Sequence, residues 1–118
     1  MLNDASEFKH IYLCTGYTDL RRGIDGLIAV VNAGFKLDPR ESGSIFLFCG
    51  RRCDRIKVLL YEGDGWLLCY KRFTDGKLQW PRSTSEACTL APQQYRWLME
   101  GLSIDQKKVI LPVKPELY

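Results

Sequence analysis

RIKVLLYEGDGWLLCYKRF, residues 55–73, decides how this chain is read. Two apolar-rich runs of strand length flank Gly63-Asp64-Gly65, and a glycine–aspartate turn between such runs is a strong short-range signal for a β-hairpin. A two-residue turn placed at Asp64-Gly65 sets the register, so that odd positions of 55–61 lie beside even positions of 66–72. One face then carries Arg55, Lys57, Leu59, Tyr61, Trp66, Leu68, Tyr70 and Arg72. The other carries Ile56, Val58, Leu60, Glu62, Leu67, Cys69, Lys71 and Phe73; it is the better core face and can receive the chain's two amphipathic helices.

Outward from the hairpin the pattern continues. SIFLFC (44–49) reads as a strand, GRRCD (50–54) as the turn that joins it to the hairpin, and Asp75-Gly76 as a further turn leading into a strand KLQW (77–80). Pro81 ends that strand, because proline has no N–H for a ladder. Residues 82–89 read as polar and irregular. Nearer the N-terminus, KHIYLC (9–14) alternates like a strand. Thr18 is placed to cap a helix with Asp19 in its first turn, and Leu20, Ile24, Leu27, Ile28 and Val31 form one apolar stripe ending at Gly34. Gly23 and Gly26 inside that helix each cost about 1 kcal/mol relative to alanine, which implies close packing or a later helix start. Pro92 opens a second helix, with Tyr95, Leu98, Met99 and Leu102 on one face and Gly101 near its end, and a short strand is expected at 108–111. This order predicts an α+β fold: a small antiparallel β-meander of four to five strands packed with two α-helices, because hairpin linkage forces antiparallel pairing. With 118 residues the chain is expected to form a single domain, 1–118, with its core at about 9–111 and loose ends.

Composition is ordinary for a globular protein: 46% of residues are hydrophobic and 26% charged, which argues against a disordered chain. Charge is uneven. The net charge is +3, yet between Gly50 and Arg82 eight Lys and Arg face only four acidic residues, so the central stretch carries more than the whole excess. No run approaches the ~20 apolar residues of a membrane span. The start, MLNDASEFKH, has no apolar leader, and the five cysteines are an odd number, so reduced thiols and a cytoplasmic location are expected, with no membrane contact.

Catalytic signatures are weak. Asp54, Asp64 and Asp75 tempt a metal-ion reading, but each lies at or beside a turn, where aspartate serves local hydrogen bonding. Cys49 and Cys53 have no second pair to complete a zinc site, and the single histidine, His10, is remote in sequence. No phosphate loop is present and no serine–histidine–aspartate set can be assembled, so no catalytic residue, no metal and no cofactor is expected. The mixed hairpin face has two readings. In one, Arg55, Lys57 and Arg72 meet phosphates while Tyr61, Trp66 or Tyr70 stack on bases. In the other it is an amphipathic sheet whose cations cover rings and reach into water. Arg51 and Arg52, in the turn, serve either phosphate contact or solubility.

Several blocks together carry a resemblance. Tyr12-Leu13, the run Thr18 to Leu27 (TDLRRGIDGL), Arg51-Arg52 with Asp54-Arg55-Ile56-Lys57, the run Leu60 to Trp66 with Tyr70-Lys71-Arg72, Trp80-Pro81, and Leu90 to Gly101 with Gln94, Leu98 and Glu100 follow in order from about Tyr12 to Ile104. They resemble the TnpB-type accessory protein of insertion-sequence-66 transposable elements, which is distinct from the RNA-guided nuclease of the same name. Cys69 stands where that family often has an aromatic residue, and Cys53 in a turn that is often more basic. The resemblance implies a small protein encoded beside a separate transposase and assisting transposition. The expectation is a non-enzymatic accessory factor that binds nucleic acid, such as transposon-end DNA, through Arg51, Arg52, Arg55, Lys57, Tyr61, Trp66, Tyr70, Lys71 and Arg72. The alternative is a protein-interaction module that docks on the transposase, or another accessory protein, without touching DNA. A homo-oligomer is compatible with either.

Overall fold

The computed structural model describes residues 8–82 and 87–105. Five strands and two helices follow in the order β1 (His10–Cys14), α1 (Ile24–Ala29), β2 (Ser44–Cys49), β3 (Arg55–Tyr61), β4 (Trp66–Arg72), β5 (Ala87–Leu90) and α2 (Pro92–Met99), with α1 running on into a π-helical segment, Val30–Gly34. The strands form one sheet in the order β4-β3-β2-β1-β5. The α+β layout is therefore as expected, and β2, β3 and β4 are the antiparallel meander. β1 adds a parallel partner on the far side of β2, with Ile11 opposite Ile45 and Leu13 opposite Leu47. The long connection that holds α1 makes this possible, because parallel neighbours require a crossover.

Both helices were expected on one face of the hairpin; they lie on opposite faces of the sheet. One core gathers Ile11, Leu13, Ile45, Leu47, Ile56 and Val58 with Tyr95 and Leu98 of α2. The other gathers Phe46, Phe48 and Leu59 with Leu27 and Val31 of the first helix. The central strand explains this arrangement: SIFLFC is buried at all six positions, as a strand covered on both sides must be.

Local chemistry sets the other departures. The first helix starts at Ile24, not after Thr18, because the intervening segment is used elsewhere. The Thr18 N–H donates to the Cys49 carbonyl at 2.9 Å, and the Asp19 carboxylate accepts from the Arg21 N–H at 3.0 Å in a tight local turn. Gly23 becomes the extended residue before the helix, and the glycine cost anticipated for a longer helix falls only on Gly26. The β3–β4 turn is centred on Gly63-Asp64, one residue earlier than expected: the Glu62 N–H donates to the Gly65 carbonyl at 2.9 Å, and Gly63 has φ +92°, the pattern of a type II′ turn. Tyr61 therefore pairs with Trp66 and Arg55 with Arg72. Centring the turn one residue earlier moves each pairing by two positions, so odd still faces even and both face assignments stand.

KLQW (77–80) is not a strand. It is an extended segment pinned by the Leu78 N–H to the Cys53 carbonyl at 2.7 Å, with Leu78 and Trp80 buried. The Trp80 Nε1–H donates to the Cys14 carbonyl at 3.1 Å. Conversely, the stretch 82–89, expected to be irregular, holds the start of β5, which pairs antiparallel with β1. α2 begins at Pro92 as expected; the Gln94 side chain accepts from the Ala91 N–H at 2.8 Å, and Gly101 (φ +81°) closes the helix while the Leu102 N–H returns to the Trp97 carbonyl at 2.8 Å. The strand expected at 108–111 lies outside the described residues.

Candidate nucleic-acid interface

The topology gathers basic residues at one end of the sheet. β1 and β2 are parallel, so the loop after β1 (15–23) and the turn after β2 (50–54) emerge together, beside the start of β3 and the end of β4. The contacts that join them are backbone hydrogen bonds and close packing. Thr18 bonds to Cys49, the Gly16 N–H donates to Pro81 at 2.8 Å, and the Phe73 N–H donates to Asp54 at 2.7 Å. Leu20 packs against Gly50, where an added Cβ would stand 3.4 Å from the leucine side chain, so the loop lies close on the turn. Residues 15–25, 50–57 and 70–82, which build this end, contain ten Lys and Arg against four Asp and no Glu. The opposite end, built from 8–10, 35–43 and 61–65, contains three Lys and Arg against four carboxylates. The first end therefore carries the excess of positive charge.

A groove of about 450 Å³ opens there, lined by Tyr17, Leu20, Gly50, Arg51, Arg52 and Arg55 among others. Its cations differ in how they are held. Arg55 is clamped by its neighbour: its Nε donates to Asp54 Oδ1 at 2.9 Å and its terminal nitrogen to Oδ2 at 3.4 Å. The Arg52 Nε stands 3.9 Å from the same carboxylate, with a side chain 75% exposed. Arg55, and behind it Arg52, holds the Asp54 carboxyl below the usual range, and the carboxylate in turn raises Arg55. Arg21 closes on Asp19 at 2.9 Å, and its side-chain and backbone hydrogen bonds lower that carboxyl to about 2. Lys57 donates to the Arg22 carbonyl at 3.0 Å and lies over the Tyr70 ring at 5.9 Å. Among the described residues, Arg22, Arg51 and Arg72 have no carboxylate within ion-pair distance. Arg55 and Arg72 face each other across β3 and β4, an unfavourable like-charge pairing that Asp54 only half relieves.

The nine residues singled out in the sequence do not form one surface. Arg51, Arg52, Arg55, Lys57, Tyr70 and Arg72 share the basic end. Tyr61 and Trp66 sit at the other end of the hairpin, 4.8 Å apart between ring centres, with Trp66 packed against the first-helix core and the Tyr61 hydroxyl donating to Gly63. Arg40 covers the Tyr61 ring at 5.4 Å. Lys71 points to the α2 face, over the ring of Phe73 at 5.2 Å. Sequence reasoning missed Tyr17, Arg22 and Arg82. They came into view only when the loop after β1 docked on the arginine turn, and Arg82 then lay over Tyr17 at 5.6 Å. Asp64 stands at the far end of the β3–β4 hairpin from Asp54, and among the described residues no three His, Cys, Asp or Glu side chains gather as metal ligands would.

Fold and site together define a small α+β scaffold whose one end is cationic and built from loops. The chain matches the family described as IS66 Orf2-like proteins over residues 9–109 and belongs to it; that family comprises transposition-associated accessory proteins of insertion sequences. Two proteins of Sinorhizobium fredii (strain NBRC 101917 / NGR234) are similar, each described as uncharacterized. One, y4jC, is 34% identical over 107 residues, covering 88% of this chain and 91% of that protein. The other, y4hO, is 34% identical over 92 residues, covering 78% and 79%. No solved structure matches the chain. No helix among the described residues is long and apolar enough to cross a membrane.

Proposed function

We propose that this protein is a non-enzymatic accessory factor of DNA transposition that binds nucleic acid, transposon-end DNA included, through the basic end of its sheet. The observation that carries the reading is the separation of charge: ten cations against four carboxylates at one end, with Arg22, Arg51 and Arg72 left without acidic partners among the described residues. A phosphate backbone would also relieve the opposed Arg55 and Arg72. The free cysteines are in keeping with work in a reducing cytoplasm. Fluorescence anisotropy with labelled element-end oligonucleotides tests this. Binding is expected at low salt, weakening steeply as salt rises because each neutralised phosphate releases counterions. The double variant Arg51→Ala, Arg52→Ala should bind at least tenfold more weakly; no affinity at low salt would reject the reading.

A second reading rests on the free edge of the sheet. β4 has no strand on its outer side among the described residues, and such an edge can take a strand from a partner protein. If the chain docks on the transposase this way, capture of the transposase should survive Arg51→Ala with Arg52→Ala.

A further inference from the structure

Resting on the nucleic-acid reading of the basic end, we infer that the ligand is single-stranded or frayed nucleic acid, not intact duplex, and that Tyr17 and Tyr70 are the rings on which its bases stack. These two are the exposed tyrosines of the described chain, 37% and 52% accessible. Both are at the basic end. Tyr17 lines the arginine groove, and Tyr70 stands opposite Lys57 on β4, two residues from the Arg72 that faces the groove's Arg55. Each ring already has a cation over it, Arg82 on Tyr17 and Lys57 on Tyr70. Positive charge that follows a backbone, interleaved with aromatic faces, is the arrangement that holds a single strand whose bases are free to stack. In a duplex the bases are stacked inside, and exposed rings gain nothing from them.

The shape of this end points the same way. A duplex is read by a helix or a protruding two-stranded ribbon laid in its major groove. The nearest helix, α1, has six residues and its one charge is Asp25. α2 covers the opposite face of the sheet, away from Lys57 and Tyr70. The 50–54 turn does not protrude, since Leu78 and Phe73 are bonded to its Cys53 and Asp54 and Leu20 packs on Gly50. What remains is a groove of about 450 Å³ between loops. That lies within the roughly 300–1,000 Å³ of sites that seat a small molecule, and it suits a nucleotide or two more than the flank of a double helix.

The test compares a labelled pyrimidine oligonucleotide, the same sequence as a blunt duplex, and a duplex with an unpaired end, by anisotropy at fixed low salt. The wild type should prefer the single strand and the unpaired end over the blunt duplex. Tyr17→Ala and Tyr70→Ala should each weaken the single strand by roughly five- to a hundredfold, the range of one lost base–aromatic stack, with duplex affinity little changed. Tyr17→Phe and Tyr70→Phe should restore strand binding, which a merely structural role of the hydroxyl would not predict. Equal or tighter binding of the blunt duplex, with both alanine variants holding the strand like the wild type, would overturn this inference while leaving the nucleic-acid reading intact. Binding of none of the three probes would overturn both.

Discussion

Asp54→Asn should make the protein bind nucleic acid more tightly. The Asp54 carboxylate pairs with two arginines that line the groove, 2.9 Å from Arg55 and 3.9 Å from Arg52, so its charge offsets theirs where a phosphate would meet them. Asparagine keeps the side-chain oxygen that Arg55 donates to and the volume, and removes only the charge. Two unit charges about 4 Å apart in water interact strongly enough to change an equilibrium about fivefold, and the effect falls off with distance. The expected gain is therefore about two- to fivefold at low salt. If Arg55 is released to take a further phosphate, the slope of log K against log salt should steepen by up to about 0.9 on duplex or about 0.7 on a single strand. Folding should be little affected, since the pair is only part-buried and asparagine keeps the oxygen that Arg55 donates to. Anisotropy titrations of wild type and variant over one salt series measure both quantities. A variant that binds no tighter, with an unchanged slope, would show that phosphates do not land on Arg52 and Arg55, and the groove would lose its assigned role.

Other outcomes follow from the packing. Leu47→Ala empties a fully buried position on the central strand and should destabilise the fold by about 2–5 kcal/mol, seen as a lower Tm in thermal melts. Trp80→Phe keeps a ring but removes the donor to the buried Cys14 carbonyl, and chemical denaturation should show a loss of about 1–3 kcal/mol. Glu41 accepts from the Ser44 hydroxyl at 2.6 Å and from Tyr12, and beside His10 its carboxyl is held below the usual range. Its stabilisation is present above the unfolded glutamate pKa of about 4.3 and is lost as pH falls through the lower folded value. Glu41→Gln should therefore lower Tm at neutral pH, and the difference from wild type should close in acid.

The meander was legible because its signals are local. Strand length, a glycine turn and side-chain parity fixed the two hairpin faces even though the turn was placed one residue late. The double-sided sheet was also written in the chain, in SIFLFC, where an unbroken apolar run admits no solvent face. Hairpin parity alone offers the helices one face; the six buried positions of this strand require one on each side. The parallel pairing of β1 with β2 was not legible, because no local signal sets the register of strands separated by a loop, a helix and another loop. Thr18 and Asp19 have the composition of a helix start, but the Asp19 side chain takes the Arg21 N–H in a local turn while Thr18 is tied to Cys49, so propensity yields to local capping and tertiary anchoring. Among the site residues, the hairpin cations were found because parity orders them. Tyr17, Arg22 and Arg82 were missed because only tertiary docking brings them to the basic end, Tyr17 in the groove, Arg82 over its ring and the Arg22 carbonyl on Lys57.

The burial of both sheet faces constrains function in turn. Leu59 and Phe46 lie under the first helix, and Val58 and Leu47 lie under α2, so neither face of the sheet's centre is open to a ligand. Among the described residues, the sheet itself offers a partner its two ends and its outer edges. The two ends differ in sign, and the basic one is formed by loops brought together by the same parallel β1–β2 pairing that buries the sheet. Binding at that end is therefore tied to correct folding of the centre. A core substitution such as Leu47→Ala should lose nucleic-acid affinity in step with its folded fraction. Surface variants such as Arg51→Ala should lose affinity with Tm unchanged. If the core variant, still folded at low temperature, bound as weakly as the arginine variant, the groove geometry would be softer than the hydrogen bonds from Thr18, Phe73 and Leu78 imply.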